Sequence, residues 1–170
     1  LRDQLRELKL DILYQNSFQS VVLLIVLSLL IAFFYRVEYG NVNYSTLVNN
    51  VWLPSAISVY LIKLIVSVFY KRKIFRSGDE KFWRGLFYTT TVLTGTSIGS
   101  SVFFVSGMSS DVNKIFILLL ISATCSGSVT VLATSLLSFT IFTSLALLLY
   151  VFYYLSSDII DFRTVGYLIF

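Results

Sequence analysis

Few side chains in this 170-residue chain could do chemistry, and the missing types narrow the possibilities first. There is no His and a single Cys, Cys125. A Ser-His-Asp or Cys-His nucleophile would therefore lack its base. A zinc site built from Cys and His, or a disulfide within the chain, is excluded on the same count. No catalytic residue, metal site or cofactor is expected, and these residues read as a non-enzyme. Lys63 stands apart. It is the one ionisable residue well inside an apolar stretch, eight positions before Lys71. A charge at such a place is costly unless it reaches water or finds a partner. Two readings follow: Lys63 snorkels towards the nearer interface, or it faces a bundle interior and meets a polar group or ligand.

Hydroxyl and small residues form the second chemical signal. One run reads Thr89-Thr90-Thr91, then Thr94, Gly95, Thr96, Ser97, Gly99, Ser100 and Ser101. A second reads Ser122-Ala123-Thr124-Cys125-Ser126-Gly127-Ser128. Small residues let apolar helices approach closely, so Gly95, Gly99 and Gly127 are candidates for helix packing. The alternative is a polar-lined cavity between the two runs, with Lys63, Thr94, Ser97, Ser101, Ser122 and Ser126 as candidate ligand-binding residues.

The elements that must position these residues are helices in lipid. The chain is 56% hydrophobic and 13% charged, with a mean hydropathy of +0.82. Soluble domains carry about 25% charged residues, and one soluble core could not hide so much apolar surface. Apolar runs fall near 17–35, 51–70, 82–105, 115–131 and 132–155, and another begins at 165–170. The complete runs are long enough for a hydrocarbon core of roughly 30 Å. They are continuous, unlike the short alternating strands of a membrane barrel. The expected fold is all-α: a polytopic membrane helical bundle of about six transmembrane helices, the last truncated. An amphipathic helix over 1–16 should precede the bundle of 17–170. Leu1, Leu5, Leu8 and Ile12 share one face of that helix, and Leu10 and Leu13 widen it. Such a face suits an interfacial helix lying on the membrane, or one that pairs with a copy of itself or with a downstream domain.

Charge placement gives an orientation. Arg2, Arg6, Lys9, Lys71, Arg72, Lys73, Arg76, Lys81 and Arg84 fall on one side, against Arg36, Lys114 and Arg163 on the other. By the positive-inside rule the first side is cytoplasmic. Lys71, Arg72, Lys73 and Arg76 are the main topology determinants, and the basic loop they form could also attract anionic lipid. The N-terminus is then cytoplasmic, and the run from 165 heads inward, towards a cytoplasmic domain beyond residue 170. Nothing basic outside the membrane suits nucleic acid.

The order of features is also informative. An amphipathic helix leads into Leu13-Tyr14-Gln15-Asn16-Ser17 and a first span. A second span with one cationic residue, Lys63, follows, then a basic loop closing on Phe82-Trp83-Arg84, paired Gly95 and Gly99, and a small-residue fourth span. This resembles the N-terminal multi-helix membrane sensor region of bacterial diguanylate cyclases and sensor histidine kinases. The chain departs from that pattern at Gln15 (often Arg), Phe18 (often Pro) and Ile98 (often Trp). The resemblance implies a sensory input domain in a bacterial inner membrane, working as a homodimer. It would respond to a small apolar ligand or a bilayer property and pass the signal to a cytoplasmic output domain in the same polypeptide. The other classes open to such a sequence are a small transporter or channel subunit and a structural subunit of a membrane complex.

Overall fold

A computed structural model describes residues 2–39, 48–72, 80–105, 108, 110–132 and 135–156, and among these every regular element is helical. Helix α1 spans Arg2–Tyr39. No Gly or Pro occurs before Gly40, so nothing in the sequence interrupts it. At 1.5 Å per residue it is about 57 Å long. The division expected between residues 16 and 17 is therefore not a break in the helix. Its buried residues show why the two parts belong together. Leu10, Tyr14, Ser17, Val21, Leu24, Ser28, Ile31 and Tyr35 are all buried, at alternating spacings of four and three. That repeat is the seam of helices packed at a shallow angle. Of the expected N-terminal apolar face, Leu10 and Leu13 are buried in the bundle, Ile12 is half-buried and Leu8 is 56% exposed. From Leu10 onward the buried residues keep the register of the span.

A short π-helical turn, Val48–Trp52, leads into α2, Leu53–Lys71. Pro54 sits in the first turn of α2, where a missing N–H breaks no helical bond. Helix α3 is Glu80–Gly99, and a four-residue helix α4, Val102–Val105, follows a turn at Ser100 and Ser101. Helix α5 is Asp111–Leu132 and α6 is Leu136–Ser156. The expected run 165–170 lies outside the described residues, as do Lys73 and Arg76 of the basic loop.

The five long helices close into a ring in the order α1, α2, α3, α6, α5 and back to α1, with α1 also touching α3 across it. Ring contacts fix the directions. At one end Tyr14 of α1 meets Tyr70 of α2 and Trp83 of α3. At the other, Trp52 at the start of α2 meets Ser97 and Ser100 at the end of α3. Helix α2 is thus antiparallel to α1 and α3. Phe34 against Phe116 makes α5 antiparallel to α1. Ser101 against Tyr150 makes α6 parallel to α3.

Four helical stretches are long and apolar enough to cross a membrane: Leu8–Arg36, Val48–Lys71, Asp111–Val129 and Leu136–Tyr153. Many large apolar side chains on these helices point outward, among them Phe33, Leu61, Leu119 and Phe152. In water they would be a liability; against lipid they are the expected exterior. Helix α3 is not among the four, although a single span was expected over 82–105. Five threonines in Glu80–Gly99 dilute its apolar content, and the turn at Ser100–Ser101 cuts the expected span short. Helix α3 nevertheless runs the full height of α2, as its contacts at both ends show.

Orientation can be read with single cysteines in a Cys125→Ser background. Ser77→Cys, in the basic loop, should react with a membrane-impermeant maleimide only in inverted vesicles, and Asn43→Cys only in intact cells. The opposite labelling pattern would reverse the orientation.

Candidate functional site

The hydroxyl-rich face of α3 turns out to serve its own helix. Thr89 donates to the Gly85 carbonyl at 3.0 Å, and Thr90 and Thr91 to that of Phe87 at 2.9 and 2.8 Å. Thr94 donates to the carbonyl of Thr90. Each hydroxyl is satisfied one turn back, which is how Ser and Thr are accommodated inside apolar helices. Ser100 and Ser101 donate to Ser97 and Ile98 in the same way, at 2.8 and 2.6 Å, and help to end the helix. Ser101 also shares a 2.6 Å hydrogen bond with the Tyr150 hydroxyl of α6. Tyr150 is fully buried.

Gly95 and Gly99 give α3 its close approach to α6. A Cβ added to Gly95 would stand 3.0 Å from the Leu145 Cβ and 3.1 Å from the Phe142 carbonyl oxygen. One added to Gly99 would collide with the Leu145 carbonyl oxygen. The glycine face thus meets the fifth apolar run of the sequence, not the fourth. Gly127 is different. It is exposed, and an added Cβ would meet nothing within 4 Å.

The cavity expected between the two hydroxyl runs is not assembled. Helix α3 lies between α2 and α6, while α5 lies between α1 and α6. Thr94, Ser97 and Ser101 are on the first, Ser122 and Ser126 on the second. Ser126 is exposed and donates to the carbonyl of Ser122 at 3.0 Å. The carbonyl of Ser97 accepts from the Trp52 indole at 3.1 Å. Its side chain joins Ser28 around the Tyr60 hydroxyl, with Ser28 at 3.0 Å.

Lys63 faces the bundle. It is 3% exposed and continues the buried stripe Ala56, Tyr60, Lys63, Ser67 of α2. It does not snorkel to the interface. Its ammonium lies 3.4 Å from the Ser20 hydroxyl of α1 and 5.9 Å from the centre of the Phe87 ring. No carboxylate among the described residues pairs with it; Asp111, a described acid within a helix, pairs with Lys114 at 3.1 Å. A recess opens beside Lys63, lined by Ser20, Leu23 and Leu24 of α1, Thr124, Gly127 and Ser128 of α5, and Phe142 of α6. Sequence reasoning missed Ser20, Thr124, Ser128 and Phe142. Thr124, Gly127 and Ser128 share one helical face by their spacing of three and four. Ser122 and Ser126 share another, and only the ring order tells which face looks inward.

A cluster of aromatics clasps the end of the bundle that carries the basic loop. The Tyr14 hydroxyl donates to the Trp83 carbonyl at 2.8 Å, and its ring stacks on Tyr70 at 4.1 Å and meets Phe87 edge-on at 5.4 Å. The Tyr70 hydroxyl donates to Asp11 at 2.5 Å. Lys71 and Arg72 are exposed just beyond it.

The two glycine environments make a direct comparison. Gly99→Ala should destabilise the bundle by about 1–3 kcal/mol, the usual cost of overpacking, while Gly127→Ala should stay within about 0.5 kcal/mol of the parent. Unfolding of both variants in detergent micelles checks this. Equal effects would mean that α3 and α6 are not in backbone contact. Comparison of the chain with family models, curated proteins and solved structures finds no match.

Proposed function

We propose that this chain is the membrane-embedded sensory input module of a bacterial signalling protein, and that it hands its signal to an output domain on the cytoplasmic side. The carrying observation is the unbroken seam of α1. The same buried stripe that packs the span of α1 continues without a break to Leu10, inside its amphipathic N-terminal segment. A change in packing around the span is therefore felt at the cytoplasmic end without an intervening hinge. The clasp of Tyr14, Tyr70, Trp83 and Asp11 ties that end to α2 and α3. In this reading α3 is a fifth crossing, with Val92 and Leu93 on its outward face, and the apolar run from 165 is a sixth that returns inward. The resemblance to multi-helix sensor regions of diguanylate cyclases and sensor histidine kinases supports the same assignment, as does the charge asymmetry that puts the basic loop inside. Such modules act as homodimers. A stimulus moves the equilibrium between two packings only by its differential affinity for them.

One observation favours a second reading. A buried lysine beside an interior recess also suits a small transporter, in which intramembrane ionisable groups mark the substrate path. The two part company in experiment. In the full-length protein, the pair Asp11→Asn and Tyr70→Phe loosens the clasp without touching the recess. The sensory reading expects a change of at least threefold in basal output, measured as cyclic dinucleotide production or phosphotransfer, at unchanged membrane levels. Unchanged output together with solute uptake that is lost in Lys63→Met would replace it with the transporter.

A further inference from the structure

We infer that the recess at Lys63 is a binding site for the carboxylate of a single-chain amphiphile, such as a fatty acid, entering from the inner leaflet between α1 and α5. Three observations carry this. The first is a buried cation with room beside it. Lys63 is 3% exposed, its one polar contact among the described residues is a long 3.4 Å bond to Ser20, and it lines a small recess of about 20 Å³, room for one small polar group. An ammonium retains further N–H donors after one such bond, and the Ser20 hydroxyl, having accepted, still has its own proton to give. Both can point at one anionic oxygen pair, and an anion is what a buried, carboxylate-free lysine lacks.

The second is the position of the opening. Leu23 on α1 is 47% exposed and Gly127 on α5 is exposed, whereas Leu24 and Phe142, deeper in the recess, are buried. The mouth therefore faces outward between α1 and α5, where lipid chains run. Gly127 contributes no side chain there, and a Cβ added to it would meet nothing, so this residue leaves the mouth open. Thr124 and Ser128 already donate to the Leu120 and Cys125 carbonyls of their own helix. They line the wall as small polar surfaces, and neither is within hydrogen-bond distance of Lys63.

The third is depth. Lys63 lies eight residues, about 12 Å of helix, from Lys71 at the basic end. A diacyl phospholipid holds its phosphate at the level of the headgroups. A slender fatty acid can sink its carboxylate further and leave its chain along the α1–α5 groove. The site thus deepens the sensory reading and rests on it for its biological purpose.

Photolabelling tests the assignment in full-length protein reconstituted in zwitterionic nanodiscs, with a fatty acid carrying a diazirine on its chain. Saturable labelling of α1 and α5 is expected, with competition by oleate and none by oleyl alcohol. Lys63→Met should weaken labelling at least tenfold, Lys63→Arg much less. Gly127→Leu, which plugs the mouth and leaves the interior intact, should weaken it similarly to Lys63→Met. Labelling unmoved by both Lys63→Met and Gly127→Leu, or equal competition by oleyl alcohol, overturns the site. Equal competition by phosphatidylglycerol assigns the recess to bilayer lipid and overturns the fatty-acid proposal. Binding as expected with no effect of oleate on output would leave the site standing and sink the sensory reading alone.

Discussion

The backbone-to-backbone approach of α3 and α6 at Gly95 and Gly99 is the constraint on which the rest of the bundle depends. These two helices are parallel and are separated in the chain by α5, so no short loop brings them together. Their contact and that of α1 with α5 close the ring. In lipid there is little hydrophobic force between helices, and close packing of small residues replaces it. Any side chain at Gly99 would meet the Leu145 carbonyl. Closing the ring at that point fixes which faces of the other helices look inward, including the face of α2 that carries Lys63.

The second constraint is that polar atoms inside such a ring must be satisfied from within it. The threonines of α3 achieve this against their own backbone. The tyrosines achieve it across helices, Tyr60 with Ser28 and Tyr150 with Ser101. Hydroxyl groups can serve either way at low cost because each is both donor and acceptor. A lysine can only donate, and the interior offers it the hydroxyl of Ser20 and the face of Phe87. This asymmetry between donors and acceptors distinguishes the recess from the other polar points of the interior.

How much of this was legible in the sequence differs by element. The apolar runs gave helices close to their observed positions, because twenty uninterrupted apolar residues have few other solutions. The direction of Lys63 was not legible: a lone cation in an apolar run is compatible with snorkelling and with an inward face, and only the packing of α2 sets it beside the buried Ala56, Tyr60 and Ser67. The glycines announced close packing but not the partner, because a spacing of four names a face and not the helix opposite it. The hydroxyl runs were misleading for a related reason. Thr94 and Ser126 are satisfied by carbonyls of their own helices, and that local alternative leaves no trace in residue order. The apolar face of the N-terminal segment was legible, but not that Leu10, Leu13 and Tyr14 would be its buried part, because that is set by α2 and α3 packing beside them.

The seam of α1 has a mechanical corollary. A helix whose buried stripe repeats every seven residues could in principle slide like a piston in steps of its own repeat. The stripe here is not uniform: Tyr14 and Tyr35 stand near its ends, and Ser17 and Ser28 lie between apolar neighbours. A slide would carry Ser28 off the Tyr60 hydroxyl and Tyr14 out of its aromatic stack, stranding buried polar groups. The inexpensive displacement is a tilt about the Tyr14 clasp, which keeps every pairing near that pivot and opens or closes the far end. A rod of this length held near one end converts a small change of angle into ångströms of travel at the other.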